Sequence, residues 1–195
     1  MSLNLRMMTL TLVIASNFCS LLPTPALAQR AYLSGPRGRL NYGRGTYYGP
    51  YGGYLKGGGA AGLSAGGNAG FAAGAHNAVG ANGSTWNGAH AGAFKRGVGF
   101  FNKNAYSVQG ANGNSLNHYS KSGYNAQTGK GFAEGANSGT INGKPVGDQY
   151  QFTGQKGEGI NGTVDTVNHG DYNVQVPAGG GKPIVTETQT PTTSP

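Results

Sequence analysis

Three arginines and three tyrosines, Arg37, Arg39, Arg44, Tyr42, Tyr47 and Tyr48, with Lys56 just beyond them, stand close together near the front of the chain. Aromatic faces stack on sugars or bases, and guanidinium groups pair with phosphate, sulfate or carboxylate. These seven residues are the candidate binding site, with an acidic polysaccharide or another cell-surface polymer as the expected partner. Pro36 and Pro50 beside glycine mark turns, and aliphatic residues are scarce around them. The segment 29–79 therefore reads as a mobile arm, Gly/Tyr/Arg-rich at first and Gly/Ala-rich from residue 57, with a flexible spacer or small-residue strands as the choices for its second part.

Groups suited to catalysis are sparse. Glu134 and Glu158 each precede a Gly-x-Asn phrase, so a repeat could stack them as a carboxylate pair; a duplicated solvated charge is the simpler account. His76, His90, His118 and His169 lack the spacing of a metal site. Gly57, Gly59 and Gly62 satisfy a dinucleotide-loop spacing, but no acid follows at the distance such a loop requires. No catalytic, cofactor-binding or metal-ligating residues are expected, and the chain reads as a non-enzyme.

Charge is divided along the chain. Ten basic residues and no acid lie between Gln29 and Ala133, whereas six acids and three lysines follow from Glu134 onward. Such asymmetry suits an anionic partner for the front, or head-to-tail self-association of front with back. Charged residues are only 10% of the sequence, against an ordinary ~25%.

The first 28 residues have the form of a secretory signal peptide. Arg6 closes a short basic region, Met7 to Ala15 is an apolar run, and Pro23 and Pro25 precede Ala26-Leu27-Ala28, an A-x-A cleavage signature. Cleavage after Ala28 predicts a secreted, periplasmic or cell-surface protein whose mature part has no transmembrane segment. Cys19, the sole cysteine, leaves with the leader. Export argues against a nucleic-acid partner.

These side chains must be positioned by a glycine-rich chain: 38 of 195 residues are glycine, roughly three times average usage. A phrase recurs as Gly80-Ala81-Asn82-Gly83-Ser84, Gly110-Ala111-Asn112-Gly113-Asn114, Gly135-Ala136-Asn137-Ser138-Gly139 and Gly159-Ile160-Asn161-Gly162-Thr163. Asn-Gly, found at Asn82, Asn87, Asn112, Asn142 and Asn161, signals two-residue type I′ hairpin turns; Asn137-Ser138-Gly139 suits a three-residue loop. Tyr106 and Val108, Tyr150 and Phe152, and Tyr172, Val174 and Val176 alternate as strand residues do. Gly70-Phe71-Ala72-Ala73-Gly74-Ala75 returns as Gly131-Phe132-Ala133-Glu134-Gly135-Ala136.

The fold class that follows is all-β, with irregular antiparallel hairpin repeats (a meander or solenoid-like stack) over residues 80–176. Large apolar residues are too few for a thick core, so a thin sheet or a partner-supported assembly is expected. The Pro/Thr-rich tail, 177–195, reads as disordered. The function that fits is a secreted, glycine-rich, structural or cell-surface interaction protein. Polyanion binding through the Arg/Tyr arm is the second possibility, and a cationic glycine-rich antimicrobial the third.

Overall fold

The computed structural model describes residues 25–188. Most of the expected leader, Cys19 and the end of the tail lie outside the described residues. The strands are β1 (Pro25–Gly35), β2 (Gly38–Tyr48), β3 (Tyr54–Ser64), β4 (Ala69–Val79), β5 (Thr85–Lys95), β6 (Gly99–Gln109), β7 (Ser115–Asn125), β8 (Lys130–Ile141), β9 (Lys144–Gln155), β10 (Gly159–Thr166), β11 (Gly170–Val176) and β12 (Ile184–Thr188). They form one 12-stranded sheet in sequence order, each strand antiparallel to the next. The sheet is open, with β1 and β12 as its outer strands.

The antiparallel hairpin meander expected from the turn signals is the observed architecture, and it extends beyond residues 80–176. Residues 29–79, expected as a mobile arm, supply most of β1 and all of β2 to β4, and β12 lies within the tail expected to be disordered. The Gly57–Gly62 spacing lies inside β3, an extended strand and not a phosphate loop.

Small-residue strands hold together here because their glycines seat rings from neighbouring strands. Phe71 lies across Gly62, Phe94 across Gly70, His90 across Gly74 and Phe132 across Gly123, each ring directly opposite its glycine in the register. A Cβ at Gly70 or Gly123 would come within 2.7 Å of the ring it carries. Ring-on-glycine pairing lets a backbone with few side chains bury apolar surface locally.

The repeat is a two-strand unit: β4, β6, β8 and β10 begin at residues 69, 99, 130 and 159. Gly70–Ala75 and Gly131–Ala136 hold equivalent places in β4 and β8, so that sequence repeat is a structural one. The turn phrase is more varied. At Gly80–Ser84, Gly83 N donates to Gly80 O (3.0 Å), Gly80 N donates to Ser84 O (2.8 Å), and Gly83 has φ 82°. Gly110–Asn114 repeats this pattern, and so does Gly49–Gly53, an earlier copy whose sequence lacks the asparagine.

These are three-residue loops with glycine in the left-handed position, not the two-residue turns expected. The cause is local. Asn82 Oδ1 accepts from Ser84 N at 3.1 Å and Asn112 Oδ1 from Asn114 N at 3.2 Å, which keeps both asparagines out of the left-handed region. Asn142-Gly143 is the type I′ turn, with φ 52° and 77° and Ile141 paired to Lys144.

Asn87-Gly88, Asn137-Ser138-Gly139 and Asn161-Gly162 are not turns; they lie within β5, β8 and β10. Gly88 carries the His76 ring and Gly162 the Phe152 ring, so cross-strand packing overrides the local turn preference.

Register assigns every strand residue to one of two faces, since paired residues share a face and neighbours along a strand alternate. The upper face carries Trp86, Val108 and Leu116 in one cross-strand row, and Phe94, Phe100 and Tyr124 in another. The lower face carries Lys103, Lys121 and Glu134 in one row. Toward β9–β11 the division is sharp. Tyr150, Phe152, Val164, Tyr172 and Val174 are up, whereas Gln149, Gln151, Thr163, Asp165 and Asn173 are down. No large apolar side chain among the described residues is fully buried. The structure is one layer, not two.

Candidate functional site

The meander divides the seven Arg/Tyr-region residues among three places. Tyr42, Arg44, Tyr48 and Lys56 lie on the lower face of β2–β3, Arg39 and Tyr47 on the upper face, and Arg37 in the β1–β2 turn. Arg44 Nε donates to Gln29 Oε1 at 2.6 Å, which ties β2 to β1. Tyr48, 60% exposed, pairs with Tyr54 across the strands. The lower face therefore has an aromatic and cationic corner made of four predicted residues together with Tyr54.

A second cationic feature was hidden in the sequence. Because consecutive turns alternate between the two ends of the strands, every other turn lies on the same sheet edge. One edge collects Arg37, Lys95 and Arg96, Lys130, Lys156 and Lys182, with Glu158 as its acid. The opposite edge carries Lys144 and His169.

Backbone bonds align the cationic edge. Ala65 N donates to Arg37 O (3.3 Å), Arg96 N to Asn68 O (2.7 Å), Ala126 N to Val98 O (2.8 Å) and Lys156 N to Gly129 O (2.9 Å). Successive turns on this edge are thus locked side by side, about two strand spacings, or ~10 Å, apart. Only Arg37 of the seven predicted residues lies in these turns, with Arg39 one residue inside β2.

The upper face holds the richest polar geometry. His76 and Trp86 meet edge-to-face with ring centroids 4.4 Å apart, and Tyr106 stacks on His118 at 4.6 Å. His118 Nδ1 lies 2.7 Å from Asn137 Oδ1, and Asn137 Nδ2 donates to both Asp148 oxygens at 3.0 Å. His118 Nε2 lies 3.0 Å from Ser120 Oγ. With its proton on Nδ1, His118 donates to Asn137 and accepts from Ser120, and every member is satisfied. Serine, histidine and amide resemble a nucleophile, its base and the base's orienter. Ser120, however, sits in mid-strand with ladder partners on both sides, so the surrounding N–H groups serve the sheet and not a developing oxyanion.

Burial, with the neighbouring His90 second, lowers the pKa of His76 below its usual value. Its Nε2 is the one shielded side-chain polar atom without a partner among the described residues, and the ring lies over Gly88. Burial, then Asp148, raises the Tyr150 hydroxyl. On the lower face Lys121 Nζ lies 2.6 Å from Glu134 Oε1, and that hydrogen bond raises the lysine. Glu134 and Glu158 do not pair: the first faces Lys121 from β8, and the second lies in the β9–β10 turn. Among the described residues no cluster of three or more His, Cys, Asp and Glu side chains is placed to hold a metal ion.

Comparison of the chain with protein-family models, with curated proteins and with solved structures finds no match.

Proposed function

We propose that this chain is an exported, non-enzymatic structural protein that works by surface interaction. The observation that supports this reading best is the single open layer, in which no large apolar side chain among the described residues is fully buried. Such a sheet offers area and periodicity in place of a pocket. The leader form of residues 1–28 supports export. Far-UV circular dichroism of the full chain tests the scaffold. A β spectrum that persists on dilution supports it, and a random-coil spectrum even at high concentration contradicts it.

The cationic edge favours a second reading, retention of an acidic polysaccharide. A linear polyanion laid along the edge meets Arg37, Arg96, Lys130 and Lys156 in sequence, each on an aligned turn. Replacing these four with glutamine should abolish salt-sensitive retention on an immobilised sulfated or uronate polymer. Replacing Arg44 and Lys56 on the lower face should weaken it less. Unchanged retention in the edge variant rules the edge out.

A further inference from the structure

Both faces of this single layer expose large apolar side chains, the lower one in the row of Phe71, Phe101 and Phe132, but the upper face carries far fewer charges. Within the strands its charges are Arg30 and Arg39 at one side, and Asp148 and Glu187 toward the other, apart from Lys144 beside a turn. Twelve strands at about 4.8 Å spacing and about 11 residues at 3.3 Å rise give a face of roughly 2,000 Å². A stable interface needs roughly 800 Å² from each partner. Water is a poor permanent cover for such a surface.

We propose that the upper face is covered by a second copy of this chain, related by a two-fold axis parallel to the strands, so that β1 lies over β12 and β4 over β9. This deepens the surface-interaction reading, and rests on it, by naming the partner. Steric relief is the first argument. The central cross-strand row is bare at the front, where no ring lies over Gly43 or Gly59, and bulky at the back, with Tyr150, Val164 and Tyr172. The reversed stacking places Tyr172 over Gly43 and Val164 over Gly59. A parallel stacking, β1 over β1, would set Tyr172 against Tyr172 and leave a void over the glycines.

Charge is the second argument. Arg30 and Glu187 occupy the same central row on the two outer strands. The two-fold brings each against the other twice, whereas the parallel stacking sets arginine on arginine. Facing rows at the ~10 Å separation of packed sheets make a sandwich from two single layers, with the lower faces, which carry most of the strand charges, outside. A two-fold interface is closed, so the assembly stops at two.

Sedimentation equilibrium of the full chain, paired with circular dichroism, tests this. The wild type should be a dimer. Gly43→Val is the diagnostic variant, because a Cβ there meets nothing closer than 3.8 Å within the chain. It should keep the β spectrum and weaken dimerisation by about tenfold or more, because the added side chain occupies the place given to the partner's Tyr172 ring. Arg30→Glu and Glu187→Arg should each weaken the dimer, and the double charge swap should restore it. Asn173→Arg, on the lower face, should change nothing. A β-structured monomer at all concentrations overturns the dimer and leaves the scaffold standing. Growth into filaments unaffected by Gly43→Val overturns it in favour of edge pairing. A random-coil spectrum overturns the scaffold itself.

Discussion

Arg30 and Glu187 stand at the two ends of one cross-strand row that passes through every strand of the sheet. The row runs from Arg30 through Gly43, Gly59 and Gly74 to His90, Asn104, Ser120 and Gly135, and then through Tyr150, Val164 and Tyr172 to Glu187. Side-chain size and charge sign both change along it. The chain's division into a basic front and an acidic back is therefore also a spatial gradient across one face.

Gly99 should be among the least replaceable residues. It enters β6 at φ 140°, and a Cβ would be driven into the Tyr124 carbonyl of β7. Gly97 has φ 74° with open space around it. Urea unfolding should show Gly99→Ala costing more than about 2 kcal/mol and Gly97→Ala about 1 kcal/mol. Equal costs would mean the register at β6–β7 is misassigned.

Asn142 is the only non-glycine residue with positive φ among the described residues. Asn142→Gly should leave the urea midpoint nearly unchanged, whereas Asn142→Ala should lower stability by about 1 kcal/mol. At Asn112, which keeps negative φ, Asn→Gly should instead be destabilising, because the Oδ1 bond to Asn114 N is lost.

His76 gives the sheet a pH dependence of definite sign. Its folded pKa lies below the ordinary histidine value of 6.5, because burial and then His90 disfavour the charged ring. The unfolded chain therefore takes up the proton first. The stabilising contribution of neutral His76 is complete above the unfolded value and is lost as pH falls through the folded one. NMR titration of the His76 ring should give a midpoint below 6.5. His90→Gln should raise that midpoint only in part, since burial is the larger cause.

The His118 row makes a spectroscopic prediction. Nitrogen-15 shifts should report the Nδ1–H tautomer, held by Asn137. Asn137→Ala removes the acceptor from His118 and the donor from Asp148, and should cost about 1–3 kcal/mol in thermal unfolding. A mixed tautomer population in the wild type would show that the network is not formed.

Part of this architecture is legible in the residues. Tyr106 and Val108, Tyr150 and Phe152, and Tyr172, Val174 and Val176 all fall on the upper face, because a period of two survives whatever the register. Asn142-Gly143 announces its own turn. The strands between Gly57 and Val79 are obscured, since the rings on Gly62, Gly70 and Gly74 come from neighbouring strands and become visible only through pairing. The same non-local packing silences the turn signal at Asn87-Gly88 and Asn161-Gly162. The cationic edge was illegible for another reason: its lysines and arginines are brought together by the alternation of turns, not by sequence proximity.

The register of the glycine-rich front is the claim from which both faces and the cationic edge follow. The most direct measurement is a set of interstrand nuclear Overhauser contacts across β2 to β5 in the isotopically labelled chain. The structure predicts contacts linking Gly43 with Gly59, Gly59 with Gly74, and Gly74 with His90, each pair directly opposite in adjacent strands. Coil-like shifts without interstrand contacts between residues 38 and 79, or contacts displaced by one residue, would contradict the account.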